Sequence, residues 1–237
     1  MERVAFKNSR NKTLIGHLFS SESKAIIIMV HGFTSDKFSK GRFDILAKAF
    51  NESGFDALTF DFSGCGESDN DSLTADKGID DLNSAISFVM SRGYQKIALY
   101  GHSLGSLICL KCYTSKIITM VLSGALTDAM KYNWHEYFSR EQMRELKEKG
   151  CITIRRDDKL RRNILVDKQM LKAFEEINQK ELLEQVACPV LMIHGNDKND
   201  EEECLLLQRS IKGMQYLPEE SKLEIIDGAN HSFLGHL

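Results

Sequence analysis

The segment GHSLG at residues 101–105 constrains the fold of this chain more than any other part of the sequence. It follows an apolar, β-prone run at residues 96–100 and precedes residues 106–113, where apolar side chains recur at helical spacing. Ser103 therefore falls in a sharp turn between a strand and a helix, as in the GxSxG nucleophile elbow. Flanking glycines are needed because larger side chains would collide with the neighbouring strand and helix. The pattern predicts a serine hydroxyl held above the edge of a sheet.

Strands and helices alternate along most of the 237 residues. Further strands are predicted at residues 14–19, 25–30, 56–60, 117–122, 190–194 and 222–226. Further helices are predicted at residues 43–53, 79–91 and from Glu203 or Cys204 to Ile211. This order predicts one α/β domain with a mostly parallel central sheet and helices on both faces.

The alternation stops between residues 125 and 188. Charged helices are predicted at residues 140–149 and 169–177, with a short hairpin around residues 152–166. The segment leaves the sheet at the carboxyl end of a strand, where open α/β sheets bind ligands. We therefore expect a cap inserted at about residues 127–187 of a single domain spanning residues 1–237. Four aromatic side chains are candidates for its pocket wall or its own core: Tyr132, Trp134, Tyr137 and Phe138.

Composition narrows the function classes. The net charge is −3, with both signs mixed along the chain, which does not favour nucleic acid as a partner. The first residues lack the apolar core of a signal peptide, and no apolar run approaches the roughly 18 to 20 residues of a membrane span. These features predict a cytoplasmic protein. Cys109 and Cys112 form a CxxC without the second pair of a zinc site, so buried thiols are expected.

A serine hydroxyl becomes an effective nucleophile only when a neighbouring base accepts its proton. Three histidines follow the predicted cap. His194 ends a strand before a glycine, which is typical of a turn, and His236 lies next to the terminus. His231 follows a strand that runs into a tight loop at the same sheet edge as Ser103. We therefore predict His231 as the general base.

Two backbone amides are candidates for binding a negative oxygen. The amide of Leu104 lies at a helix N-terminus, where unpaired N–H groups and the helix dipole favour negative charge. Gly32 permits a sharp turn after the first buried strand, which would direct the amide of Phe33 to the same place. Two such donors would stabilise the tetrahedral oxyanion of acyl transfer.

Five blocks, in this order, resemble those of the α/β-hydrolase family: residues 31–34, 61–68, 101–105, 188–190 and 228–231. Within that family the chain is most similar to small carboxylesterases of the cinnamoyl and feruloyl esterase group and to serine-aminopeptidase-like and monoacylglycerol-lipase-like proteins. The resemblance implies Ser103 as nucleophile, His231 as base, and the amides of Phe33 and Leu104 as the oxyanion hole. It also implies a small-molecule ester substrate, an acyl-enzyme intermediate, and no metal or organic cofactor.

The sequence departs from the family pattern at two places. The family usually places its acid four residues after the histidine of the penultimate strand, and here that position is Lys198. Asp197 and Asp200 flank it; Asp197 is favoured as the triad acid, with Asp200 or no acid as alternatives. The family also usually carries a helix after the histidine loop, whereas six residues follow His231. Either the chain is truncated, or another surface covers that face of the sheet.

Other functions fit the same residues. An acyl-thioesterase or a monoacylglycerol-lipase-like hydrolase would use the same steps on a different acyl compound. A protein of another class would keep the cap pocket and bind a ligand without catalysis, as the displaced acid allows. Fold resemblance alone does not decide the substrate.

Overall fold

The computed structural model describes residues 1–156, 161–233 and 235; His236 lies outside them. The strands are β1 (Glu2–Lys7), β2 (Thr13–Phe19), β3 (Ala25–Val30), β4 (Asp56–Phe60), β5 (Ser72–Leu73), β6 (Lys96–His102), β7 (Ile117–Ser123), β8 (Cys151–Arg155), β9 (Asn163–Asp167), β10 (Val190–Gly195) and β11 (Lys222–Ile226). The helices are α1 (Arg42–Glu52), α2 (Ala75–Ser91), α3 (Leu104–Lys111), α4 (Trp134–Tyr137), α5 (Arg140–Lys149), α6 (Lys168–Glu175), α7 (Gln179–Glu184) and α8 (Glu201–Gly213). None of the described helices is long and apolar enough to span a membrane.

Eight strands form the central sheet in the order β1-β2-β4-β3-β6-β7-β10-β11. β1 and β2 pair antiparallel, as do β2 and β4, and all the remaining neighbours are parallel. The predicted α/β fold with a mostly parallel sheet is therefore confirmed. The sequence analysis did not predict β1, in which only Val4 and Phe6 face the core. Two buried side chains are too few to produce a clear period-two pattern.

Helices cover both faces of the sheet. The larger core lies under α2, α3, α7 and α8 and includes the fully buried Ile28, Leu99 and Met192. On the other face, Phe43 of α1 packs against Tyr100 of β6 with the ring centroids 5.5 Å apart. Along each strand the side chains point alternately to the two faces. On this second face they are only half-buried at positions such as 121, 191 and 193.

The thiols of Cys109 in α3 and of Cys112 just after it are buried, as expected, and all six cysteines are free. Helix α2 begins four residues before the predicted position. The hydroxyl of Thr74 accepts a hydrogen bond from the Lys77 amide at 3.1 Å and caps the first turn, which extends the helix beyond its first large apolar residue.

The segment between β7 and β10 contains four short helices and the hairpin of β8 and β9. The hairpin pairs Ile152 with Val166, within the predicted range, and β9 also pairs parallel with β5 to make a second, three-stranded sheet. The guanidinium of Arg161 donates to the carbonyl of Gly66 at 3.1 Å. That of Arg156 donates to the carbonyl of Thr34 at 3.0 Å. These contacts fasten the segment to the loops that follow β3 and β4.

A buried ion pair joins those two loops to each other. Lys37 is fully buried, and its Nζ lies 2.7 Å from Asp61 Oδ2 and 2.6 Å from Glu67 Oε2. The second oxygen of Asp61 accepts the Lys37 amide at 2.7 Å. A Cβ at Gly66 would lie 2.2 Å from the Asp61 carboxyl carbon, so only glycine allows this approach. The pair therefore holds in place the loop that carries Phe33.

Replacing Lys37 with methionine tests how much this buried ion pair stabilises the fold. The substitution leaves the Asp61 carboxylate buried without its cation, and removing one partner of a buried pair typically costs about 3–5 kcal/mol. We expect the free energy of unfolding, measured by urea titration at neutral pH, to fall by about that amount. The exposed Lys24→Met variant should change it by less than about 0.5 kcal/mol. Equal effects in the two variants would contradict a stabilising role for the pair.

Candidate active site

Ser103 sits in a strained turn between β6 and α3. Its φ of 55° and ψ of −122° lie outside the regions that L-residues normally occupy. A Cβ at Gly105 would lie 2.1 Å from the carbonyl oxygen of Val30, and one at Gly101 would lie 2.7 Å from that of Gly105. The amide of Ser103 donates to the carbonyl of Ser123 at 3.0 Å. Close packing therefore holds the serine in the elbow conformation predicted from its neighbours.

His231, in the loop after β11, lies beside this serine. Its Nε2 is 2.9 Å from Ser103 Oγ, and its side chain is 22% exposed. The ring packs against Gly124, where φ is +52° and a Cβ would lie 2.7 Å from His231 Cε1. The carboxylate of Asp200 accepts the backbone amide of His231 at 2.8 Å, which fixes the loop. The structure thus brings together the two residues predicted as nucleophile and base.

The carboxylate that contacts His231 belongs to Glu203, in the first turn of α8. Its Oε2 lies 2.6 Å from His231 Nδ1, and its Oε1 accepts the Gly195 amide at 2.9 Å and lies 2.8 Å from His194 Nδ1. The side chain is fully buried. Burial alone would raise the pKa of this carboxyl, but hydrogen bonds from His194 and His231 outweigh burial and lower the pKa to about 2. Glu203 is therefore ionised throughout the physiological pH range.

Asp197, the favoured acid of the sequence analysis, does not occupy this position. Its carboxylate turns back to accept the backbone and side-chain N–H groups of Asn199, both at 3.0 Å. The alternative, Asp200, accepts the Glu203 amide at 3.0 Å and the His231 amide, and so caps α8 rather than contacting the imidazole. Beside the ring, where Asp197 was expected, the structure places Glu203, because the longer side chain from α8 reaches His231 and the carboxylate of the loop aspartate bonds to Asn199 instead.

Sequence reasoning missed Glu203 because it stands in a run of three glutamates that resembles a solvated helix start. One signal was available. Glu203 precedes the buried Leu206 by three residues and the buried Ser210 by seven, so it lies on the core-facing stripe of α8. A carboxylate on such a stripe requires partners.

His194 was predicted only as part of a turn, and its contact with Glu203 was not predicted. The ring is fully buried at the end of β10, with Nδ1 at Glu203 and Nε2 2.9 Å from Ser210 Oγ. One neutral tautomer satisfies both contacts, with Nδ1–H donating to the carboxylate and Nε2 accepting the hydroxyl. His194 therefore fixes the carboxylate from the side away from His231.

The backbone amides of Phe33 and Leu104 are the two predicted oxyanion donors. Within the described residues, neither the amide of Phe33 nor that of Leu104 has a hydrogen-bond acceptor. A Cβ at Gly32 would lie 3.3 Å from Ser103 Cβ, so the Phe33 turn passes next to the serine. His31 braces this turn: its Nδ1 donates to the Gly32 carbonyl at 2.9 Å. The arrangement leaves free N–H groups beside the Ser103 hydroxyl.

A cavity of about 320 Å³ opens above Ser103 and His231. Six aromatic side chains that contact one another line it: Phe33, Tyr132, Trp134, Tyr137, Phe138 and Phe174. The Tyr132 hydroxyl donates to Glu202 at 2.6 Å, which links the segment after β7 to α8. The four aromatic residues singled out in the sequence therefore form both a wall and a cluster among themselves.

The charges around His231 set its protonation. Burial lowers the pKa of this histidine, but the hydrogen bond to Glu203 and the negative charges of Glu203, Glu202 and Asp200 outweigh burial and raise the pKa above its ordinary value of 6.5.

Glu203→Gln tests the source of this raised pKa. The substitution preserves an oxygen that can accept from Nδ1 but removes the nearest charge. We expect the pKa of His231, measured by NMR titration of labelled histidines, to fall, because the charge that stabilises the protonated ring is lost.

Asp197→Asn is the matched control and should leave the His231 titration unchanged. Circular dichroism of both variants would verify the fold. A fall with Asp197→Asn, or none with Glu203→Gln, would contradict the assignment of Glu203 as the partner of the ring.

The chain is similar to known proteins in its sequence family and in its fold. A family model described as serine aminopeptidase, S33, matches residues 21–155, more than half of the chain. No curated protein matches the chain. The α/β hydrolase GrgF from Penicillium sp. sh18 is similar with a TM-score of 0.76 at 18% identity, over 97% of this chain and 90% of that one.

Est1E from Butyrivibrio proteoclasticus, solved with ferulic acid bound, gives a TM-score of 0.76 at 17% identity, over 98% of this chain and 92% of its own. The esterase EaEST from Exiguobacterium antarcticum gives 0.72 at 16% identity, over 97% and 92%. At these identities the likeness is one of fold. The family match identifies the chain as a member of the serine aminopeptidase S33 family of α/β hydrolases.

Proposed function

We propose that the protein is a serine hydrolase that cleaves carboxylic esters through an acyl-enzyme intermediate. The observation that carries the proposal is the continuous path of short contacts from Ser103 Oγ through His231 to Glu203, at 2.9 and 2.6 Å. These distances are within the reach required between a nucleophile, its base and the group that orients the base. We propose esters as the substrates because the structures of the same fold include an esterase, EaEST.

In the proposed first step, Nε2 of His231 takes the proton of Ser103 as Oγ attacks the ester carbonyl carbon. The imidazolium that forms is stabilised by Glu203, whose carboxylate is already ionised because its pKa is about 2. The contact of Glu203 with Nδ1 also selects the tautomer in which Nε2 is free to accept the proton. Glu203 therefore replaces Asp197 as the proposed triad acid.

The carbonyl oxygen becomes negative as the tetrahedral intermediate forms. The amides of Phe33 and Leu104 are proposed to donate to it, and each such donor contributes on the order of 10² to 10³ in rate. Leu104 is the first residue of α3, so the helix dipole adds to its effect. Both donors belong to rigid backbone and need no rearrangement during the reaction.

Collapse of the intermediate breaks the bond between carbonyl carbon and alcohol oxygen, and His231 passes its proton to the leaving alcohol. Water then attacks the acyl-serine, with His231 again accepting a proton, and Ser103 is released with the carboxylic acid. All atoms and protons of this cycle are supplied by ester, water and the three side chains, so the proposal includes no cofactor.

We further propose that residues at about 127–187 act as a cap within a single domain. This segment supplies five of the six aromatic rings that line the cavity above Ser103. It is also attached to the loops after β3 and β4 by the contacts of Arg156 and Arg161. A cap of this composition favours substrates with an apolar, planar portion.

Labelling with a fluorophosphonate probe tests the nucleophile. A serine activated by a neighbouring histidine attacks the phosphorus and remains covalently labelled, so mass spectrometry should find the adduct on Ser103. Ser103→Ala should abolish labelling, whereas Ser87→Ala, on the surface of α2, should label like the wild type. Absence of labelling in folded protein would contradict the proposal and favour a binding protein that lacks catalysis.

A comparison of two carboxylate variants tests the acid. Loss of the orienting carboxylate lowers kcat by about 10⁴-fold in serine hydrolases, and we expect a loss of about this order for Glu203→Gln with a p-nitrophenyl ester. Asp197→Asn should stay within about twofold of the wild type, because among the described residues its carboxylate accepts hydrogen bonds from Asn199 and none from His231. The reverse pattern would return the role to Asp197.

A further inference from the structure

An arginine next to the candidate active site is buried without an anion. Arg42, the first residue of α1, is 6% exposed and lines the cavity above Ser103. Its guanidinium donates to the carbonyl of Ser39 at 3.1 Å, to the Ser39 hydroxyl at 2.7 Å and to the Ser232 carbonyl. All three acceptors are neutral, and no carboxylate of the described residues forms an ion pair with Arg42.

Burying a charge without a partner is costly, and five N–H donors are available on a guanidinium. Three of those of Arg42 are used within the protein. Burial also lowers the pKa of Arg42, because desolvation disfavours the charged guanidinium. An anion bound in the cavity would stabilise that charge.

A second cation, Lys40, lines the same cavity. Lys40 is exposed, and among the described residues it has no hydrogen-bond or ion-pair partner. Lys40 lies in the turn before α1 and is not part of the helix, since its φ of 60° is in the left-handed region. Ser35 and Ser232 complete this wall with polar groups. We call Lys40, Arg42, Ser35 and Ser232 the basic wall.

The remainder of the cavity has a different character. The aromatic rings supplied by the cap segment provide apolar surface, and the Glu202 carboxylate, held by Tyr132, adds a negative charge there. An anionic group is repelled from that side and attracted to the basic wall. Ser103 and His231 line the same cavity as the basic wall and the aromatic rings.

We propose that the substrate is an ester carrying a carboxylate, which binds at the basic wall while an apolar, planar portion packs on the aromatic rings. This inference rests on the proposed esterase function and adds the charge of the substrate. The carboxylate belongs either to the acyl part or to the alcohol part of the ester. Its recognition is the same in both cases, and substrates distinguish them.

Two pairs of esters test the inference, each comparing a carboxylate with its neutral carboxamide. Monophenyl adipate and the phenyl ester of adipamic acid place the group on the acyl part; O-benzoylglycolate and O-benzoylglycolamide place it on the alcohol part. We expect kcat/KM for the carboxylate to exceed that for the carboxamide by about tenfold in one pair, since the extra strength of a hydrogen bond between charged groups over one to a neutral group corresponds to about this factor. The pair that shows the preference identifies the position of the charge.

Lys40→Gln removes the positive charge and keeps a polar side chain that is one atom shorter. The ratio of the two kcat/KM values should fall about three- to tenfold, and Lys40→Glu should lower it further. Lys48→Gln, an exposed residue of α1 that does not line the cavity, is the matched control and should keep the wild-type ratio. In the wild type, raising the salt concentration should reduce the ratio because salt screens the exposed lysine.

The outcomes separate the two proposals. If esters are hydrolysed with no preference for the carboxylate in either pair, the substrate inference is overturned and the esterase function stands. If Lys40→Gln leaves the preference intact, the basic wall does not recognise the carboxylate and the inference is also overturned. If none of the four esters is cleaved and the fluorophosphonate probe does not label Ser103, the proposed function fails, and the inference fails with it.

Discussion

The Glu203 carboxylate is the interaction on which the arrangement of this site depends. It is fully buried and ionised, a state that would be very costly without donors. Its three donors come from different parts of the fold: His194 and Gly195 end β10, and His231 follows β11. Because each donor lowers the cost of burying the charge, the carboxylate joins α8, the last parallel strands and the histidine loop into one unit.

The rigid sheet supplies the second constraint. Non-glycine residues held in sparsely populated backbone regions cost about 1–3 kcal/mol, and Ser103 is one of them. The parallel register places Ser123 of β7 beside the end of β6, where its carbonyl accepts the Ser103 amide. Gly124, the next residue, leaves the space that the His231 ring fills. One pair of neighbouring strand ends therefore positions both the serine and the histidine.

The sequence predicted the parts of this architecture that depend on local pattern. Continuous apolar runs specify β3, β6 and β10, and the close approach of backbone at Gly101 and Gly105 explains why the elbow is readable from spacing. The carboxylate that contacts His231 was not predictable in this way. Its position was inferred from a loop offset, whereas Glu203 reaches His231 from a helix through a longer side chain. The burial of Lys37 likewise has no local signature, since Asp61 and Glu67 meet it only in the folded chain.

Two neighbouring histidines show how the distribution of charge assigns the proton. The rings of His102 and His231 lie 5.1 Å apart, so both would not readily be protonated together. Burial lowers the pKa of His102 far below its usual value, and the positive charges of His231 and Arg42 lower it further. The acidic side chains of α8 raise that of His231. Environments that separate two pKa values in this way assign distinct roles to chemically identical groups. His102 therefore stays neutral beside Ser123, and in the proposed mechanism His231 is the ring that accepts the proton from Ser103.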